Sequence, residues 1–99
     1  MSIEEETIKE IIETGLGSIG KVKILRALAE ENKLATIYAL HKKTHLKRQD
    51  IKNNLDDLVK IGWVIERKYA NVMYGINREN KYVDRLIRFF YEVGYATQL

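Results

Sequence analysis

Ile8, Ile11 and Ile12 recur at helical spacing among Glu5, Glu6, Lys9, Glu10 and Glu13, a pattern that predicts an amphipathic helix over residues 3–14. Gly15 and Gly17 follow as its stop. Ser18 offers a capping hydroxyl to a second helix, in which Val22, Leu25, Leu28 and Ala29 share a face, Lys21, Lys23 and Arg26 lie largely off it, and the end falls near Asn32. Thr36 can cap a short third helix with Ile37, Ala39 and Leu40 as its apolar positions and an end near Lys43. Thr44-His45-Leu46 then turns the chain. A fourth helix carries Ile51, Leu55 and Leu58 as an i, i+4, i+7 stripe, extended by Val59 and Ile61, and stops at Gly62.

Past Gly62 the period changes. Trp63 to Lys68 and Val72 to Ile76 are rich in β-branched and aromatic residues and are separated by Tyr69-Ala70-Asn71, which predicts a hairpin. Asn77 or Asn80 caps a last helix reaching about residue 95, with Val83, Leu86, Ile87, Phe90 and Val93 on one side. The expected fold is mainly α with one small β-hairpin. Its 99 residues suit one domain over 1–99, in which 18–77 form the core unit and helices 3–14 and 80–95 flank it.

Charge sharpens this picture because it is unevenly spread. Residues 1–17 hold one Lys against five Glu (net −4), whereas residues 18–99 hold sixteen basic against nine acidic groups (net +7), so the body of the chain suits an anionic partner. No apolar run approaches the roughly 20 residues that cross a bilayer, and the start Met1-Ser2-Ile3-Glu4-Glu5-Glu6 is opposite in charge to a secretory signal. A cytoplasmic, nucleoid-associated location is expected, with no membrane partner. The absence of cysteine removes disulfides, thiolate nucleophiles and Cys-based zinc sites.

From Thr36 to Asn77 the sequence resembles the winged helix-turn-helix regulators of bacteria and archaea, broadly their MarR-like and ArsR-like groups. Ile37 to Leu46 is similar to the first motif helix and its turn, which those families commonly close with Thr-Gly-Leu. Gln49 to Val64 resembles their recognition helix with its ending of Leu, polar residues, Gly and apolar-Val, and Val72 to Asn77 resembles the second wing strand. With the helix before it, the match covers about two thirds of the chain. Two positions depart from the pattern: His45 stands where the turn usually has Gly, and Lys47 where a Ser or Thr cap is usual. Histidine tolerates positive φ better than most residues, so the turn can survive.

The resemblance implies sequence-specific binding of double-stranded DNA by a homodimeric transcription regulator, most simply a repressor, with helix 47–61 in the major groove. Such a helix reads bases from its N-terminal end, where Arg or Lys suits guanine and Gln or Asn suits adenine. Arg48, Gln49, Lys52 and Asn53 are the expected base contacts. Asp56-Asp57 falls after the first two turns, so basic and amide groups are concentrated at the DNA end. Phosphate contacts are expected from Lys42, Lys43, His45 and Lys47 around the turn, and from Arg67, Lys68, Tyr69 and Asn71 in the wing, 63–77, on the backbone or in the minor groove.

His41 and His45 are four apart, but His45 falls in the turn and no Cys or convergent carboxylate joins them, so no metal is expected. No Ser-His-Asp set or phosphate-binding glycine loop can be assembled, which points away from an enzyme and from any cofactor. In the last helix Tyr82, Phe89, Tyr91 and Tyr95 widen the apolar stripe beyond what one domain needs. A dimer interface is therefore expected from Val83, Leu86, Ile87, Phe89, Phe90 and Val93 together with Ile8, Ile11 and Ile12, unless the first helix covers the surplus within the chain. Two other functions suit the same fold. One is an architectural or plasmid-partition protein with little sequence preference, and the other a protein-interaction module for which Asp56-Asp57 suits a basic partner.

Overall fold

The computed structural model describes residues 3–31 and 33–97. Its elements run α1 (Ile3–Gly15), α2 (Ile19–Glu30), α3 (Ile37–Thr44), α4 (Arg48–Lys60), β1 (Val64–Lys68), β2 (Val72–Ile76) and α5 (Lys81–Glu92). This is the expected order. Asn32, the expected limit of the second helix, lies outside the described residues, and α2 itself ends at Glu30.

Side-chain caps set the starts of α2, α3 and α5, because each satisfies a backbone N–H that the first turn leaves without a partner. Ser18 Oγ accepts from the Lys21 amide at 3.2 Å, and Thr36 Oγ1 from the Ala39 amide at 3.1 Å. Asn80, not Asn77, caps α5, its Oδ1 accepting from the Tyr82 and Val83 amides at 3.0 and 3.3 Å. Asn77 instead donates its side-chain amide to the Gly62 carbonyl at 2.8 Å and its backbone amide to the Trp63 carbonyl at 2.9 Å, fastening the root of the hairpin.

Two helices end in the same paired-bond motif. Gly62 takes φ +81°, its amide bonds the Val59 carbonyl at 3.0 Å and the next amide, of Trp63, reaches back to Leu58 at 3.0 Å. Gly94 does the same at φ +79°, with its own amide on Tyr91 and that of Tyr95 on Phe90, which ends α5 at Glu92 and not near residue 95. The Phe90 and Tyr95 rings meet edge to face, 4.9 Å apart, as the apolar contact that accompanies such a stop.

The core gathers Ile24, Leu25 and Leu28 of α2, Leu40 of α3, Ile51, Leu55 and Leu58 of α4, Trp63, Val64 and Tyr74 of the hairpin, and Val83, Ile87 and Phe90 of α5. Each large side chain buried this way contributes about 1.5–3 kcal/mol over leaving it in water. The burial of Val83, Ile87 and Phe90 corrects the expectation that they form a dimer surface, since α5 spends that face on its own domain. Part of the surplus is used internally too: the Tyr91 hydroxyl donates to the Ala29 carbonyl, and Tyr95 lies under the Arg26 guanidinium. Phe89 and Val93 remain more than half exposed.

The sheet pairs Val64 with Ile76 through Lys68 with Val72, antiparallel. Ala35, just before α3, adds a one-residue bridge to the other edge of β2, with both amides bonded to the Tyr74 and Ala35 carbonyls at 2.8 Å. α1 lies on α4. Gly15 permits that approach: a Cβ there would stand 2.2 Å from the Trp63 ring, and its φ is not positive, so it serves contact and not a left-handed stop. Beside it the buried Lys21 ammonium donates to the Thr14 carbonyl at 2.9 Å and pairs with Asp57 at 3.0 Å, joining α1, α2 and α4.

Candidate nucleic-acid interface

α4 is built to show one side. Ile51, Leu55 and Leu58 are fully buried while Gln49, Asn53 and Asp56 are exposed on the opposite face, and Arg48 is exposed at the helix start, on the side of the buried stripe. The turn before it holds its shape through local bonds: Thr44 Oγ1 donates to the Leu40 carbonyl at 2.7 Å and accepts from the Leu46 amide at 3.2 Å, and His41 Nδ1 meets the Leu46 carbonyl at 2.7 Å. His45 takes φ +62°, so it does occupy the left-handed position the sequence requires of it. Lys47 stands at the N-cap without a side-chain cap bond, and Asp50 in the first turn supplies the favourable negative charge instead.

The four expected base contacts do not present themselves alike. Gln49 Nε2 donates to Asn53 Oδ1 at 3.0 Å, so these two form one exposed amide pair on the outer face. Lys52 is half-buried and turned to Asp56, whose carboxylate accepts from it at 2.6 Å and holds the ammonium above the usual lysine range. It also borders Tyr74, whose phenol is pushed up chiefly by burial, with Lys52 acting against that shift. Arg48 is turned onto α3, its guanidinium 5.2 Å from the centre of the Tyr38 ring.

The expected phosphate contacts also divide. Lys42 Nζ lies 5.3 Å from the same Tyr38 ring centre, beside Arg48. Lys43 points the other way, to Glu30 at 3.4 Å and Glu31 at 3.9 Å, where it ties α3 to the end of α2. His45 and Lys47 are exposed at the turn. In the wing Arg67 donates to the Glu66 carbonyl at 3.2 Å and Lys68 pairs with Glu66 at 3.9 Å, while Tyr69 and Asn71 stand exposed at the tip, closed by a bond from the Tyr69 amide to the Asn71 carbonyl at 3.1 Å. Tyr38, 54% exposed, is where Lys42 and Arg48 meet, a contact that sequence reasoning missed. Its signal was an aromatic four residues before Lys42 on a helix whose inward positions were already filled.

No helix among the described residues is long and apolar enough to cross a membrane. No protein-family model matches the sequence, and no curated protein matches it. Solved structures do match its shape. Reduced HlyU from Vibrio cholerae is similar at a TM-score of 0.74 and 19% identity, over 92% of this chain and 94% of that one. The transcriptional repressor BigR from Xylella fastidiosa is similar at 0.73 and 15% identity, over 99% and 100%. A homodimeric winged helix-turn-helix DNA-binding domain from Mycobacterium bovis is similar at 0.70 and 20% identity, over 95% and 87%. The fold is therefore a winged helix-turn-helix, with α3 and α4 as the motif helices and β1–β2 as the wing.

Proposed function

We propose that this chain is a homodimeric transcription regulator that binds double-stranded DNA, most simply a repressor that covers a promoter in the cytoplasm. The observation that carries the reading is the outer face of α4: its apolar stripe is sealed in the core, and the Gln49–Asn53 amide pair stands in solvent at the end that a recognition helix offers to a groove. Similar folds that include a repressor and a DNA-binding domain support it. The interaction-module reading loses its acidic patch, since Asp56 is held by Lys52 and Asp57 by Lys21.

The dimer rests on what α1 and α5 leave uncovered. Ile8 and Ile12 on one, and Phe89 and Val93 on the other, repeat at i, i+4 and stay exposed. Paired two-fold, the recognition helices would stand about one DNA turn, roughly 34 Å, apart. Selection of bound sites from random duplexes at two salt concentrations tests the whole reading. Half-sites with dyad symmetry are expected, bound more weakly at the higher salt. Salt-sensitive binding without a consensus would mark an architectural protein, and no binding at either salt would overturn the proposal.

A further inference from the structure

Arg48 and Lys42 hold their charges against one exposed ring, 5.2 and 5.3 Å from the centre of Tyr38. Two cations gathered on one phenol repel each other, and among the described residues neither has a carboxylate within ion-pair distance. Their neighbours on the same two helices differ, for Lys43 is neutralised by Glu30 and Lys52 by Asp56. The ring face attracts both cations and fixes them at little entropic cost. A guanidinium laid over an aromatic face keeps its N–H donors free in its own plane, the arrangement that suits a phosphate oxyanion.

We infer that Tyr38, Lys42 and Arg48 form a clamp for a backbone phosphate, with Tyr38 as the positioning residue and Arg48 as a phosphate ligand and not a reader of bases. The inference rests on the DNA-binding reading above and deepens it. In a helix-turn-helix the first helix crosses the backbone while the second enters the groove, and Arg48, although it begins α4, has its charge on α3. Base reading then falls to Gln49 and Asn53, whose amides match the adenine edge.

The test measures affinity by fluorescence anisotropy over a salt series, for random-sequence duplexes and for the sequence selected by the unaltered protein. Arg48→Ala is expected to weaken both by the same factor, roughly ten-fold. It should also flatten the dependence of log K on log salt by about one unit. Lys42→Ala should behave in the same way. Tyr38→Leu, which removes the ring, should lose about three-fold on both duplexes, while Tyr38→Phe, which keeps it, stays near the unaltered protein. Thermal unfolding midpoints of all four should be unchanged, because the three side chains lie outside the core. A loss in Arg48→Ala confined to the selected sequence, with preference relaxed at one base pair, would overturn the clamp and leave DNA binding intact. An unchanged salt slope would do the same. Failure of the unaltered protein to bind any duplex would remove the DNA-binding reading and the clamp together.

Discussion

Lys21 and Asp57, thirty-six positions apart, meet at 3.0 Å with the lysine 10% exposed and the aspartate 53% exposed at their side chains. The two ends of this pair are unequal in their access to water. Removal of Asp57 strands a buried ammonium on the Thr14 carbonyl alone, whereas removal of Lys21 leaves a carboxylate that can hydrate.

Asp57→Ala is accordingly expected to destabilise by about 2 kcal/mol and Lys21→Met by about 1 kcal/mol, both discounted for the exposed partner. Urea denaturation of the two variants checks the order. Equal losses, or a greater loss for Lys21→Met, would show that the pair is not the fastening described.

Gly15 lies within a helix, where alanine ordinarily stabilises by about 1 kcal/mol. The Trp63 ring reverses that sign, since an added Cβ falls 2.2 Å from it. Gly15→Ala should cost about 1–3 kcal/mol through overpacking. In the background of Trp63→Phe the same change should cost less, and a thermal unfolding cycle of the single and double variants measures the difference. Strict additivity would mean that the contact does not govern the position.

Glu30 is a junction between α2, α3 and the chain end. Burial acts to raise its carboxyl, but the Thr97 amide at 2.8 Å, Lys43 and Arg26 outweigh it and hold the group below its ordinary value. A depressed carboxyl stabilises fully above its unfolded value, about 4.3, and that contribution disappears as pH falls through the lower folded value. The stability difference between the unaltered protein and Glu30→Gln should thus be constant from about pH 6 to about pH 5 and vanish in stronger acid. Denaturant titrations across that range follow it, and a difference that grows on acidification would refute the sign.

Phe89 and Val93 touch little of their own chain, at 54% and 59% exposure. Replacement of both by Ser should therefore shift sedimentation equilibrium from dimer to monomer. The concentration dependence of thermal unfolding should disappear with it. A monomer before substitution would end the dimer proposal.

The elements were legible because their signals are local. The Ile51-Leu55-Leu58 stripe, the Ser18 and Thr36 caps and Gly62 each act within one or two turns, and the structure has them at work there. His45 was legible for the same reason, as a residue in a turn that needs positive φ. What escaped depends on partners far along the chain. Lys21 reads as one more solvated cation until α4 brings Asp57 beside it, and Gly15 reads as a stop until Trp63 arrives. The Ala35–Tyr74 bridge is one residue long and has no period to detect. On α5, a wide apolar stripe fitted both self-packing and pairing, and only burial separates Val83, Ile87 and Phe90 from Phe89 and Val93. The direction in which a long cation points was invisible as well, which is why Lys43 and Arg48 had equal claims as DNA contacts, although Glu30 neutralises the first and Tyr38 only turns the second toward α3.

The bridge from Ala35 pins the hairpin midway, at the rung where Glu66 faces Tyr74. Only Arg67 to Met73 overhangs, two rungs of sheet and the tip that Tyr69 and Asn71 close, roughly 10 Å at about 3.3 Å per residue. The wing is thus a short cantilever whose fulcrum joins the entrance to α3 and the buried Tyr74, so a pull at Tyr69 is delivered to the front of the helix-turn-helix and to the interior together.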